Sequence, residues 1–301
     1  MKNLRIDKFF HSEVGVFIGR AYGRLYRSGE FGRPFYEGGN GRAEEIYLDL
    51  LKTVSNSFTS LNMWLINACS FSVIISYQPC IDEASHKFYG WWKNTEGRDK
   101  EYFWNLLKQA YTYADNHLGC ILDKMDLRDN IIVTSDHGIY SVSYDFFLND
   151  YLKQKKMLFC NGGKIDANKS YVYYHPAETG AVYFNKNCTE KEIKDIKDKL
   201  LALVFDGKKI IKQLLKTNSK VMGDYYLIPE DEINIRAGFD AHIICKTQKS
   251  GCHTVYNYKS SMRAICFVCG KNICFLPESG KEISYKVIRN ILIAFVLDFS
   301  I

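Results

Sequence analysis

The sequence has no run of about twenty apolar residues, which excludes a membrane-spanning helix within it. Lys2 and Arg5 are not followed by the apolar stretch of a secretory signal. The early glycines (Gly15, Gly19, Gly23, Gly29, Gly32, Gly38 and Gly39) follow no period. They make neither a G-x-G-x-x-G fingerprint nor a P-loop. A large charge excess is lacking too: the formal net charge is +6, and the densest basic stretch, 186–220, reads as a solvated face. Basic and aromatic residues do not interleave as in nucleic-acid-binding modules. Linkers, low-complexity tracts and internal repeats are absent, and the chain as written reads as soluble.

What is present is ordinary for a folded protein. Of 301 residues, 47% are apolar and 25% charged, with 19 Phe and 21 Tyr, enough to build a large core. The ten cysteines (Cys69, Cys80, Cys120, Cys160, Cys188, Cys245, Cys252, Cys266, Cys269 and Cys274) lie mostly among apolar neighbours. A disulfide framework belongs mainly to short secreted domains, so buried free thiols are expected. Cys266 and Cys269 form a C-x-x-C without the second pair that a zinc ribbon needs, and read as structural thiols.

Apolar spacing predicts a helix over 43–55 and a longer one over 99–125. Segments 71–77 and 130–134 are short apolar runs rich in β-branched residues, the mark of strands buried on both faces. Strand, helix, strand of this kind is a βαβ unit. Further strands are expected at 171–174, 181–184, 224–228 and 264–269. Thr189 and Glu192 form a capping box opening a helix through about 205, and an apolar tail from 287 reads as a docked terminal helix. The fold class expected is α/β: a mainly parallel central sheet flanked by helices.

Ligands of open α/β sheets bind beyond the carboxyl ends of the strands. Two of the predicted strands run into ligand-type residues there. After 71–77 come Asp82 and His86, four residues apart and able to face the same way if Asp82 opens a helical turn. After 130–134 comes Ser135-Asp136-His137-Gly138. Carboxylate oxygen with imidazole nitrogen suits Zn²⁺, and Mn²⁺ or Fe less uniquely. Each residue also has a bland reading. Asp82 could cap a helix, His86 could be half-buried surface, Asp136 could be a turn residue, and Gly138 could supply a left-handed conformation. The recurrence of an Asp/His pair at two strand ends is what favours a metal site.

In this order and spacing, Asp82-x-x-x-His86-x-x-x-Gly90 and Ser135-Asp136-His137-Gly138 resemble the type I phosphodiesterase/nucleotide pyrophosphatase family of the alkaline phosphatase superfamily. Gly251-Cys252-His253-Thr254-Val255-Tyr256 followed by Met262-Arg263-Ala264-Ile265 resembles its third ligand segment. Gly180 to Asn185, Gly223 to Pro229 and Ala237-Gly238-Phe239 fit between. The resemblance covers roughly 70–301, leaving 1–70 as a poorly matched N-terminal segment. It implies an alkaline phosphatase-like sheet, incomplete at the amino end. It also implies two divalent metal ions, zinc by the family's habit. Asp82, His86 and His253 would hold one, and Asp136 and His137 would form part of the other. The implied substrate is a small phosphodiester or a nucleotide pyrophosphate bond, and the family is often extracytoplasmic.

The chain departs from the family most at the nucleophile. The family's first strand brings an Asp ligand, and a nearby segment ending in Thr-Gly brings the nucleophilic Thr or Ser. Here Asp7 follows no strand-like run, and no Thr-Gly occurs before residue 70. Thr53, Ser55, Ser57, Thr59 and Ser60 sit in the wrong context, so no catalytic residue is assigned. Ser85 replaces a Gly before His86, Thr254 replaces a Gly after His253, and Lys271 stands where Pro is common. A catalytically inactive, metal-retaining relative is the alternative to a working hydrolase.

Overall fold

The computed structural model describes residues 21–297, apart from 69–70, 127, 219–222, 239–241, 248–249, 254–259 and 271–281. Gly15, Gly19, Asp7, Cys69, Phe239, Thr254, Val255, Tyr256, Lys271 and Cys274, singled out above, lie outside the described residues. Along the chain come helices α1 (Ala21–Arg27), α2 (Arg42–Ala68), α3 (Cys80–Asn94) and α4 (Gly97–Leu122). Strands β1 (Asn130–Thr134) and β2 (Tyr140–Phe147) and helix α5 (Leu148–Gln154) follow. Next are β3 (Val172–Tyr174), β4 (Ala181–Phe184), α6 (Glu190–Leu201), β5 (Ile211–Lys216), β6 (Tyr225–Pro229) and β7 (Glu232–Arg236). The chain closes with β8 (Ile244–Lys246), β9 (Gly251–Cys252), β10 (Cys266–Gly270) and α7 (Tyr285–Leu297). None of the described helices is long and apolar enough to cross a membrane.

Two compact units divide the chain. One comprises Met1–Ala84, Glu101–His137 and Ala264–Ile301; the other comprises Ser85–Lys100 and Gly138–Arg263. The first is built on helices. Tyr22 and Tyr26 of α1 meet Tyr47 of α2 with ring centroids 5.5 and 5.2 Å apart, and Leu48, Leu51 and Val54 are buried on the same helix. Helix α2 runs a full 27 residues, past the predicted end near 55. Its hydroxyl residues, which ordinarily favour turns, are absorbed by bonding back one turn. Thr53 Oγ1 donates to Asp49 O, Ser57 Oγ to Thr53 O and Thr59 Oγ1 to Ser55 O.

The described strands pair mostly antiparallel, and the expected mainly parallel sheet is not seen among them. In the first unit β1 pairs antiparallel with β10, and residues 71–77, predicted to be a strand of the same sheet, join no ladder among the described residues. An apolar run becomes a strand only where a neighbour accepts its backbone bonds, and periodicity cannot supply that neighbour.

In the second unit β3, β4, β6 and β5 form an antiparallel sheet in that order, while β2 is flanked by β7, β8 and β9. Only the β2–β7 pair is parallel among the described strands. Strands joined by short links fold back on one another, whereas β2 and β7 are separated by a long excursion that permits a crossover. The core of this unit gathers Phe146, Leu152, Val172, Tyr174, Val182, Leu200 and Ile233. Thr189 caps α6 in a full capping box with Glu192, as predicted, and α6 buries Ile196 and Leu200. The helix stops at Leu201, short of 205. Val204–Phe205 instead pairs with Lys208–Lys209 around Asp206 and Gly207, both at positive φ, a turn of the type Asp-Gly favours. Of the described thiols, Cys80 and Cys252 are buried as expected, but Cys120 and Cys269 are exposed.

Candidate metal centre

Helix α3 carries two of the five predicted ligands. Pro79 precedes its first residue, where a missing N–H costs nothing, and Asp82 and Glu83 lie in the first turn, where the helix dipole favours carboxylates. Its start is pinned inside the first unit. The Tyr47 hydroxyl donates to Glu83 O at 2.9 Å, and the Cys80 thiol donates to Ala110 O at 3.3 Å. Burial pushes that thiol up to about 12, so Cys80 remains a donor to Ala110 O. Asp82 and His86, one turn apart, share a face of the helix.

The first unit also positions Asp136 and His137, at the carboxyl end of β1. The strand end is clamped to Ile265. Ser135 N–H donates to Ile265 O at 3.2 Å, Ile265 N–H returns a bond to Ser135 Oγ at 3.0 Å, and Thr134 Oγ1 donates to Ile265 O at 2.9 Å. The Tyr285 hydroxyl of α7 lies between the carbonyls of Ser135 (2.9 Å) and Asp136 (2.6 Å). Burial, with the Asp136 carboxylate beside it, raises the Tyr285 pKa, keeping the donor protonated. Asp136 is exposed; its Oδ1 lies 3.4 Å from Nε2 of the half-buried His137. Asp82 and His137 each offer a ligand atom within 4.8 Å of the other.

The second unit brings together His86 and His253. His86 Nδ1–H donates to Gly251 O at 2.7 Å, which sets the tautomer because a carbonyl only accepts. The lone pair of the ring therefore sits on Nε2, 3.1 Å from His253 Nε2. The rings approach at 4.9 Å between centroids, tilted by 46°. Divalent zinc takes just such a lone pair from a histidine whose other nitrogen is held by a backbone carbonyl, so the donor set fits the metal.

Close backbone packing holds this pair in place. A Cβ at Gly251 would stand 2.3 Å from Ser85 O, one at Gly90 2.1 Å from Ser250 O, and one at Gly138 2.0 Å from Ser261 O. The last corrects a sequence reading: Gly138 is needed for close approach, and its φ is not in the left-handed region. Ser250 is buried and clamps the 250–252 segment to α3, donating from Oγ to Lys87 O at 2.6 Å and accepting from Gly90 N–H at 3.1 Å. Ser250 and Tyr285 escaped the sequence reading, and no spacing or residue type marks them. Their roles rest on partners 160 and 149 positions away. Gly90 was visible as the end of the Asp-x-x-x-His-x-x-x-Gly segment.

The units thus gather Asp82, Asp136 and His137 in one and His86 with His253 in the other, with α3 contributing to both. Thr53, Ser57 and Thr59 spend their hydroxyls on helix carbonyls, and Ser55 donates to Tyr113 O at 3.3 Å. No curated protein matches the chain significantly. The model of the type I phosphodiesterase / nucleotide pyrophosphatase family matches residues 30–254, well over half of the sequence and the whole span of the five candidate ligands. The chain belongs to that family, within the alkaline phosphatase superfamily.

Proposed function

We propose that this chain is a metal-dependent hydrolase of phosphodiester or pyrophosphate bonds in small substrates such as nucleotides. Asp82, His86 and His253 would hold one divalent ion, and Asp136 and His137 would supply part of a second site; zinc is the metal their donors suit best. The observation that carries the reading is the His86–His253 pair, with its ring nitrogens 3.1 Å apart and the His86 tautomer set by Gly251. Family membership supports the reaction type. Ions so placed neutralise the charge on a phosphoryl group and lower the pKa of an attacking oxygen. The protein's own part is to orient the ligands through Gly251, Ser250 and Tyr285.

A second reading is a protein that keeps metal binding without turnover. It is favoured by the engagement of the Thr53, Ser55, Ser57 and Thr59 hydroxyls with backbone carbonyls, which leaves none of these four poised as a nucleophile. One experiment separates the two. The purified chain is assayed for bound metal by elemental analysis and for hydrolysis of a chromogenic phosphodiester, with and without chelator. Chelator-sensitive hydrolysis supports the enzyme, and bound metal with no hydrolysis supports the second reading. Absence of metal, or metal retained in His86→Ala and His253→Ala, overturns both.

A further inference from the structure

Residues 71–77, Phe71-Ser72-Val73-Ile74-Ile75-Ser76-Tyr77, lie between α2 and α3 outside any helix, with every side chain exposed. Ile75 is 89% exposed and Phe71 53%, values unusual for a β-branched and aromatic run, which ordinarily packs against a sheet neighbour. Tyr77 is exposed as well, although its ring meets Phe58 edge-on at 6.2 Å between centroids. Alternation assigns the faces. Ser76 Oγ is turned into the unit, accepting from Asn62 Nδ2 at 2.6 Å and lying 3.4 Å from His117 Nε2. Phe71, Val73, Ile75 and Tyr77 are each more exposed than Ile74 at 38%, and they would share the opposite face as one apolar strip once the segment extends on association. Single exposed apolar residues mean little; a contiguous strip marks an interaction surface.

The strip is also symmetric. About Ile74 the sequence reads the same chemistry in both directions: Val73 mirrors Ile75, Ser72 mirrors Ser76, and Phe71 mirrors Tyr77. A two-fold interface demands this self-complementarity, since each patch meets its own copy. No charge opposes the meeting, because no Asp, Glu, Lys or Arg occurs from Thr53 to Ile81. The lysines with which proteins ordinarily protect such segments are missing. Complete covering of these four residues in both copies removes at most roughly 900 Å² from water, the size of a weak, reversible interface.

We propose that 71–77 is a homodimerisation segment. Two copies pack their Phe71/Val73/Ile75/Tyr77 faces antiparallel across a two-fold axis at Ile74, which sets Val73 of each copy beside Ile75 of the other. The occupant is a second copy of this chain, argued from the symmetry and the absence of charge, and the proposal stands apart from the metal chemistry. Sedimentation velocity on the full chain over a range of concentrations should report a monomer–dimer equilibrium. Ile75→Lys and Val73→Glu should each weaken the dimer at least about tenfold, with the circular dichroism of the folded chain unchanged because these side chains are exposed. The double variant Val73→Glu, Ile75→Lys should recover dimerisation at low salt, since the introduced carboxylate of each copy then meets the introduced ammonium of the other across the axis. A wild-type chain that stays monomeric overturns the proposal, including one whose strip is covered by a different polypeptide. So do single variants that still dimerise, or a double variant that fails to recover.

Discussion

Replacing Gly251 by Ala tests the geometry of the candidate centre without touching a ligand. The new Cβ would stand 2.3 Å from Ser85 O and 2.8 Å from Ile139 Cδ1. Ordinary contact begins near 3.4 Å, so the 250–252 segment and α3 must part by about 1 Å, a strain of the overpacking kind worth ~1–3 kcal/mol. Neither side yields easily. Gly251 and Cys252 are paired with Ser141 and Tyr140 of β2, and Ser250 is bonded twice to α3. The same displacement carries Gly251 O away from His86 Nδ1, now 2.7 Å distant, to a separation at which the bond is lost. Loss of such a supporting bond typically weakens metal binding by about 10–100-fold. Thermal unfolding should therefore show a midpoint lowered by roughly 2–5 °C, and zinc titration against a competing chelator should show the drop in affinity. Gly119→Ala is the control: nothing lies within 4 Å of its would-be Cβ in α4, and the helix should gain ~0.5–1 kcal/mol. A Gly251→Ala protein with wild-type midpoint and wild-type zinc affinity would refute the reasoning that close backbone packing positions His86.

Three further outcomes follow from the same contacts. Ser250→Ala removes two buried bonds to α3 and should cost about 1–2 kcal/mol in urea unfolding, with a lesser loss of metal affinity than Gly251→Ala. Asn149, fully buried, donates to Tyr174 O and Ala237 O and accepts from Tyr174 N–H, so Asn149→Ala should cost ~3 kcal/mol or more by the same measurement. Burial lowers the pKa of His117 from its usual 6.5. Below 6.5 the unfolded chain then binds the extra proton before the folded one does, so stability is complete above that pH and is lost as pH falls through the folded value. Midpoints measured from pH 7.5 downwards should fall, and His117→Gln should flatten the decline; an equally steep decline in that variant would remove His117 as its cause.

The local placement of the candidate ligands was legible in the sequence, and the architecture around them much less so. Asp82 and His86 announce themselves because one helical turn separates them, and Asp136-His137 because they follow an apolar strand. These are local relations, which a periodicity of 3.6 or 2 encodes directly. The capping box of α6 is local in the same sense, and so was the Asp206-Gly207 turn, whose signal went unread beneath the helical pattern before it. Strand pairing has no such signature. That 130–134 is a strand follows from its own residues, but that it pairs antiparallel with Cys266–Gly270 depends on a segment 130 or more positions away. The parallel sheet expected from a βαβ pattern is not seen among the described strands for that reason.

The sequence by itself determined the candidate ligand residues, the strand before Asp136 and the family to which the chain belongs. Only the tertiary structure decided the tautomer of His86, the clamp of Ser250 on α3, the hydrogen bond of Tyr285 behind Asp136, and the exposure of 71–77. Each of these is a contact between residues remote in the chain, or an exposure that only the fold could decide. Local preference can say that a residue is apolar, a donor or small, but the partner that gives that property its effect is supplied by packing.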